Sequence, residues 1–238
     1  MLYTIRIAGS QIAFPCAPGD TILDAAQHAG YEMPYSCRKG VCHNCSGRVL
    51  SGSFDGPRTD EGGVLFCRAK PCSDLDIAPR EFRRIDAKAR TIANARIYRV
   101  ERPTTDVTLL QLRFPAGTRV KFRAGQYLQV LLDDGERRCF SMANPPRQSD
   151  GAELHIRAVP GGRFTGQLLP HLAAGMTLRV ELPYGAFFLR ETPEKPALFV
   201  AGGTGFAPIK SIIEDAFLRG ITRAMTLYWG GRRRDDLY

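Results

Sequence analysis

The sequence predicts a multidomain α+β chain in three unlike sections: a small mixed unit over 1–78, an antiparallel β-barrel over 93–192, and the opening of a parallel α/β unit over 193–238. Three patterns predict it. The first section gathers four cysteines onto one loop and one later segment. The second is a series of six short runs separated by turn residues. The third opens on a fully apolar strand, a glycine turn and a helix.

Local signals place each element. Leu2–Ala8 and Gln11–Pro15 alternate as strands, and Asp20 or Thr21 can cap a helix across Ile22–Ala29 that Gly30 closes. Strands at Gly47–Leu50 and Asp74–Ala78 complete the first unit. The basic stretch from Pro79 to Arg90 reads as a linker, taken as 79–92. Barrel strands are expected at Ala95–Val100, Thr108–Phe114, Gln126–Leu132, Arg138–Met142, Glu153–Val159 and Thr177–Leu182, with one helix at Phe164–Ala173 after Gly161-Gly162. In the last section, strands at Ala197–Val200 and Met225–Trp229 flank a helix at Ile209–Arg219. Two strands and one helix cannot cover both faces of a parallel sheet, so this section is expected to be truncated.

Composition narrows the function. No apolar run approaches the roughly 20 residues that span a bilayer, and the alternating start carries no signal-peptide block. A cytoplasmic protein without a membrane partner is expected. Seven cysteines without a secretory signal argue for ligands rather than disulfides. The net charge of +9 is unevenly spread: residues 79–192 hold 19 Lys and Arg against 11 Asp and Glu, whereas residues 1–78 hold 7 against 8. The excess occupies a segment rather than one DNA-reading helix, so no nucleic-acid partner is expected. A solvated face, a docking surface for an acidic protein and contacts to an anionic cofactor remain open.

Cys37, Cys42 and Cys45 stand in C-x4-C-x2-C spacing, and Cys67 follows after 21 intervening residues. This is plant-type [2Fe–2S] spacing: three thiolates wrap the cluster from one tight loop and a distant fourth closes it. Gly40 lets the backbone pass close. Structural zinc pairs its cysteines as two C-x2-C halves, and only one exists here. His43 has no second suitably spaced histidine, which argues against a Rieske centre. Cys16, Cys72 and Cys139 are left as small, buried residues.

Arg138-Cys139-Phe140-Ser141 lies on a barrel strand. Arginine matches a pyrophosphate in charge and fork geometry, an aromatic can lie on a flat ring, and a hydroxyl can reach a ring nitrogen. Gly161-Gly162-Arg163-Phe164-Thr165 is a glycine turn opening a helix, suited to phosphate. Together they make a dinucleotide-type flavin plausible. The turn Gly202-Gly203-Thr204-Gly205-Phe206-Ala207-Pro208 follows an apolar strand and opens a helix, the context of a nucleotide pyrophosphate. Lys210-Ser211 imitates a Walker ending, but Ile209 stands where glycine is required. No G-x-S-x-G elbow or H-E-x-x-H pair occurs, which leaves hydrolase chemistry without a nucleophile or metal.

These stretches, with Pro34-Tyr-Ser-Cys37, Met142-Ala-Asn144, Pro183-Tyr-Gly185 and Tyr228-Trp-Gly230, resemble the iron–sulfur flavoprotein reductases that feed bacterial Rieske-type aromatic-ring dioxygenases, above all those of the terephthalate type. The resemblance implies a β-grasp plant-type ferredoxin, a flavin-binding barrel and a nucleotide-binding domain, in that order. It implies FAD, NADPH or NADH, a [2Fe–2S] cluster and a terminal Rieske oxygenase partner. Arg138 and Gly162 to Thr165 would hold the FAD pyrophosphate. Phe140 would contact the isoalloxazine and Ser141 its N5 side, the two residues nearest the chemistry. Cys139, Asn144 and Gly161 would line the flavin site, with His155, Ile156 and Arg157 along the adenylate. Gly203, Thr204, Gly205, Phe206 and Pro208 would seat the nicotinamide nucleotide, with Gly230 and Arg232 beside it. The run Arg232-Arg-Arg234 fits a 2′-phosphate or a solvated charge run equally. Phe140 stands where the family has tyrosine and His43 where it has a small residue. The Cys45–Cys67 span is also short. Rival readings are an electron carrier without NAD(P)H activity, a zinc-stabilised interaction protein, and a reductase serving a di-iron monooxygenase or a deoxysugar-forming enzyme.

Overall fold

The structure, a computed structural model, describes residues 2–35, 38–41, 43–84, 90–190 and 195–238. The chain divides into two compact units, Met1–Ala89 and Arg90–Tyr238.

In the first unit β1 (Tyr3–Ile7) and β2 (Ala13–Cys16) form an antiparallel hairpin with Ile5 opposite Phe14. Thr21 caps α1 (Ile22–His28), accepting the Asp24 N–H, and the helix buries Ile22, Leu23, Ala25 and Ala26. Further short strands follow: β3 (Tyr31–Glu32), β4 (Ser46–Ser51), β5 (Phe54–Asp55), β6 (Val64–Leu65), β7 (Lys70–Pro71), β8 (Leu75–Pro79) and β9 (Arg83–Arg84). The main sheet runs β2-β1-β8-β4-β6, with β1 and β8 parallel at its centre. This mixed sheet with one packed helix is the β-grasp arrangement expected.

The stretch expected as a linker is partly structured. β8 extends to Pro79, and Arg83–Arg84 pairs with Tyr31–Glu32. An Arg83–Glu32 ion pair at 2.5 Å and a Phe82–Tyr31 ring stack at 4.9 Å hold it there. Two-residue strands leave no periodicity to read, so these pairings were invisible in the sequence.

The second unit holds β10 (Thr91–Glu101), β11 (Val107–Arg113), β12 (Tyr127–Leu131), β13 (Arg137–Ser141), β14 (Gly151–Arg157) and β15 (Thr177–Tyr184). Their antiparallel order is β13-β12-β15-β10-β11-β14, and a Met142–Leu154 bridge brings the two edges together. Leu110, Leu128, Leu154, Val180 and Leu182 fill the interior with no exposed surface. The helix expected at Phe164–Ala173 is instead a six-residue π-type turn, Arg163–Leu168, and a 3-10 turn, Leu169–His171. Pro170 has no N–H to continue a helical ladder, which breaks the segment.

The chain then forms β16 (Ala197–Gly202), α2 (Phe206–Leu218) and β17 (Met225–Gly230), with the two strands parallel and Ala201 opposite Trp229. α2 starts three residues earlier than expected, with Pro208 in its first turn, where a missing N–H costs nothing.

β4 passes close to the core. A methyl group on Gly47 would meet the Phe66 ring at 2.4 Å and the Ala78 carbonyl at 2.9 Å. Gly47→Ala is therefore expected to destabilise the first unit by about 1–3 kcal/mol through overpacking, read by denaturant unfolding; a loss below about 0.5 kcal/mol would contradict the packing described here.

Candidate functional site

The cysteine loop is built between α1 and β4. Cys45 and Cys67 are buried, and the Cys45 carbonyl accepts the Phe66 N–H at 3.2 Å, which draws the two segments together. Cys37 and Cys42 lie outside the described residues. Arg38 and His43 sit at φ 53° and 54°, and Gly40 at 80°. Such a run of left-handed positions curls the backbone tightly. Arg38 anchors the curl: its guanidinium donates to Asp24 at 2.5 Å and to Gln27, and lies 4.7 Å over the Tyr35 ring. Asp24 in turn accepts the Thr21 hydroxyl at 2.7 Å. The helix cap and the loop are thus one hydrogen-bonded chain. Two buried thiols on segments joined across a tight loop suit soft, thiolate-bound iron.

At the barrel, β13 presents Arg138, Phe140 and Ser141. Arg138 is held by Glu136 at 2.5 Å. Arg163, 25 residues further on, pairs with Asp134 and approaches Glu136 at 3.8 Å. The strand and the glycine turn therefore meet, with two guanidiniums converging on the β12–β13 hairpin. Phe140 packs its ring 5.0 Å from Phe164. The turn is tight: Thr165 Oγ1 accepts the Val159 N–H at 3.1 Å, and a methyl on Gly162 would strike that oxygen at 2.5 Å. No side chain caps the start of the Arg163–Leu168 turn. So short an element has no long helix dipole, so an anion placed there would meet individual N–H groups and the two arginines. Of the three cysteines expected to be buried only Cys16 is; Cys72 and Cys139 are exposed, and the Cys139 sulfur accepts the Gln129 amide at 3.7 Å. The Asn144 amide is spent within its own loop, on Gln148, Gly151 and Glu153.

β14 separates the remaining candidates by its pleat. Leu154 and Ile156 point into the barrel core. Glu153, His155 and Arg157 engage the β16–α2–β17 fold. The His155 ring bridges Glu153 at 2.8 Å and the Tyr238 hydroxyl at 3.1 Å. Arg157 pairs with Asp106 at 3.2 Å and lies beneath Gly203, where a side-chain carbon would meet its guanidinium at 2.7 Å. Gly203 also holds φ 50°, so both space and backbone require glycine. Its carbonyl accepts the Trp229 indole N–H at 3.0 Å, and Trp229 stacks on Phe206 at 4.0 Å. Gly203–Gly205 is a short 3-10 turn running into α2 without a side-chain cap, so Thr204 and Gly205 present backbone at the helix start. Gly230 pairs with Gly202 at the strand ends. Arg232 reaches Asp106 and Asp236 beside a cavity of about 460 Å³ lined by Thr105 and Arg233 as well.

Sequence reasoning missed Asp106, Asp134 and Tyr238 as partners, because contacts between distant segments leave no local signal, and it missed Glu136, whose pairing with Arg138 depends on the turn of the β12–β13 hairpin. His155 and Arg157 were expected along the adenylate, and the structure turns both toward the glycine turn of the third section.

Three family descriptions match successive stretches: "2Fe-2S iron-sulfur cluster binding domain" at 5–72, "Oxidoreductase FAD-binding domain" at 94–189 and "Oxidoreductase NAD-binding domain" at 199–238. The chain is 50% identical to terephthalate 1,2-dioxygenase reductase component 1 of Comamonas sp, over 100% of this chain and 73% of that protein. It is 34% identical to the phenol 2-monooxygenase reductase component DmpP of Pseudomonas sp. (strain CF600), covering 100% and 70%. Among solved structures, the Amycolatopsis cytochrome P450 reductase GcoB matches at TM-score 0.70 and 32% identity, over 99% of this chain and 74% of that one. A ferredoxin reductase in carbazole 1,9a-dioxygenase matches at 0.63 and 27%, over 99% and 73%.

The Glu153 carboxyl is held below its ordinary range, chiefly by the His155 hydrogen bond and, against burial, by Lys210. A depressed carboxyl contributes stability above its unfolded value, and that contribution is lost as pH falls through the folded one. The melting-temperature gap between the parent and Glu153→Gln should be level above about pH 5.5 and should close on the acid side of 4.5; calorimetry across this range checks it.

Proposed function

The chain belongs to the iron–sulfur flavoprotein reductases, and from that premise we propose that it carries electrons from a nicotinamide nucleotide to a terephthalate-type aromatic-ring dioxygenase. It is an NAD(P)H-dependent flavin and iron–sulfur oxidoreductase, with a [2Fe–2S] cluster, FAD and a nicotinamide nucleotide as its cofactors. The relatives' names add an oxygenase-system partner. In our reading that partner is a terminal Rieske oxygenase. Among the described residues no helix is long and apolar enough to cross a membrane.

The flavin supplies the exchange between a two-electron donor and a one-electron acceptor. The protein's own residues supply placement. Cys37, Cys42, Cys45 and Cys67 would give four thiolates, with the loop held to α1 through Arg38 and Asp24. Arg138, Arg163 and the backbone at Gly161–Thr165 would take a pyrophosphate, whose charge replaces that of Glu136 and Asp134. Phe140 would offer a ring face and Ser141 a hydroxyl donor. The Gly203–Phe206 turn would seat the second nucleotide, and Arg157 supports that turn rather than an adenylate. Arg232 is already engaged by Asp106 and Asp236, which favours a structural use of this arginine over 2′-phosphate recognition.

The convergence of Arg138 and Arg163 beside the barrel carries this reading, since neither the cluster loop nor the nucleotide turn needs it. Removing one charge-assisted partner costs about 1.5–3 kcal/mol. Arg138→Ala should therefore weaken FAD binding about ten- to a hundredfold in flavin titrations of the apoprotein, with the cluster spectrum unchanged. For the whole reading, the iron-, sulfide- and FAD-loaded protein is mixed anaerobically with NADH or NADPH and then with purified oxygenase components. Flavin bleaching followed by reduction of the terephthalate dioxygenase component is expected. A flavin that stays oxidised defeats the enzyme reading; bleaching with electrons accepted only by a phenol monooxygenase or deoxysugar-forming partner defeats the choice of acceptor.

A further inference from the structure

Lys210-Ser211 follows the glycine turn as a phosphate-binding pair would, yet both side chains face the barrel. The Lys210 amine lies 3.4 Å from the Ala143 carbonyl, 3.3 Å from Glu153 and 2.9 Å from Glu214. The Ser211 hydroxyl is wholly buried and donates to the Asn144 carbonyl at 2.7 Å. Ala143 and Asn144 stand just beyond β13, which carries Arg138, Phe140 and Ser141. That loop is itself fixed. Met142 N–H donates to Gln126 at 3.0 Å, Ala143 N–H donates to Glu153 at 2.8 Å, and the Asn144 side chain ties down Glu153. Two neighbouring residues of one helix therefore grip two neighbouring carbonyls of one rigid loop.

We propose that Lys210 and Ser211 are positioning residues, a two-pronged latch that sets the spacing between the nicotinamide-seating turn at Gly203–Gly205 and the flavin-bearing strand β13. The proposal rests on the reading of those two elements given above. Apolar packing alone would not set that spacing. Ile209 and Ile212 join Ala124 and Phe199 in a small hydrophobic cluster beneath α2, and such contacts tolerate sliding because they have no direction. Hydrogen bonds restrict both distance and angle. The charge of Lys210 is matched by Glu153 and Glu214, and His155 shares Glu153 from the other side. Transfer between two bound rings requires reacting atoms within about 3–3.5 Å, so a small slip between the turn and the strand is magnified in rate.

The test uses Lys210→Met, Ser211→Ala and the conservative Lys210→Arg in the FAD- and cluster-loaded protein. FAD content, cluster absorbance and the dissociation constant for oxidised nucleotide are measured beside the anaerobic bleaching rate. The long-wavelength charge-transfer band that forms when a nicotinamide lies on a flavin is recorded as well. Lys210→Met and Ser211→Ala should keep their FAD and cluster and bind nucleotide within about threefold of the parent. They should lose the charge-transfer band and bleach about ten- to a hundredfold more slowly. Lys210→Arg should recover most of both. A band and rate within about twofold of the parent in both variants overturn the latch. So does nucleotide affinity that falls in step with the rate, which would make these binding residues. If Lys210→Met retains no FAD, Ser211→Ala decides by the same criteria. A parent that binds no nucleotide defeats the proposed function beneath the latch, an outcome plainly distinct from unchanged variants.

Discussion

The two-residue repeat of β14 sets what the second unit can do. Along Gly151–Arg157 every other side chain belongs to the barrel core, and Leu154 and Ile156 are buried there without a polar partner. The intervening positions are left for Glu153, His155 and Arg157, and all three bind the fold that starts at β16. A register slip of one residue would put three polar groups into the barrel and two aliphatic ones against the glycine turn. The barrel and the nucleotide fold are joined because one strand is shared between a dry face and a polar one.

The same economy runs through the first unit. Thr21 caps α1, Asp24 receives that cap and Arg38, and Arg38 belongs to the loop whose neighbours are cysteines. A plant-type cluster requires a backbone that turns sharply and stays turned when its charge changes by one electron. A guanidinium held by a carboxylate and by Gln27 supplies that stiffness from outside the thiolates. The cluster loop is thus braced by contacts that lie outside the thiolates.

Much of this was legible beforehand, for reasons that differ by element. The β14 segment alternates cleanly from Ala152 to Arg157, and Asp20 or Thr21 announces the start of α1, so the existence of both elements follows from local pattern alone. The cysteine spacing is a chemical constraint and survives without any periodicity. The helix expected across Phe164–Ala173 overlooked Pro170, which breaks it. What could not be read were pairings between remote segments: Arg163 with Asp134, Arg157 under Gly203, Lys210 on Ala143. Lys210-Ser211 could be rejected as a Walker ending, but its true use could not be read, because a local motif states which groups are present and not which way α2 faces. The relatives share 50% identity at best among those described, and the chain spans 73% of that protein's length.

Trp229 is the chain's sole tryptophan. It lies flat on Phe206, edge-on to Tyr238, with its indole N–H on the Gly203 carbonyl. Its ultraviolet emission therefore has one origin in the molecule. That makes it a native optical gauge of how the glycine turn is seated, with no dye to attach and no second fluorophore of its kind to subtract.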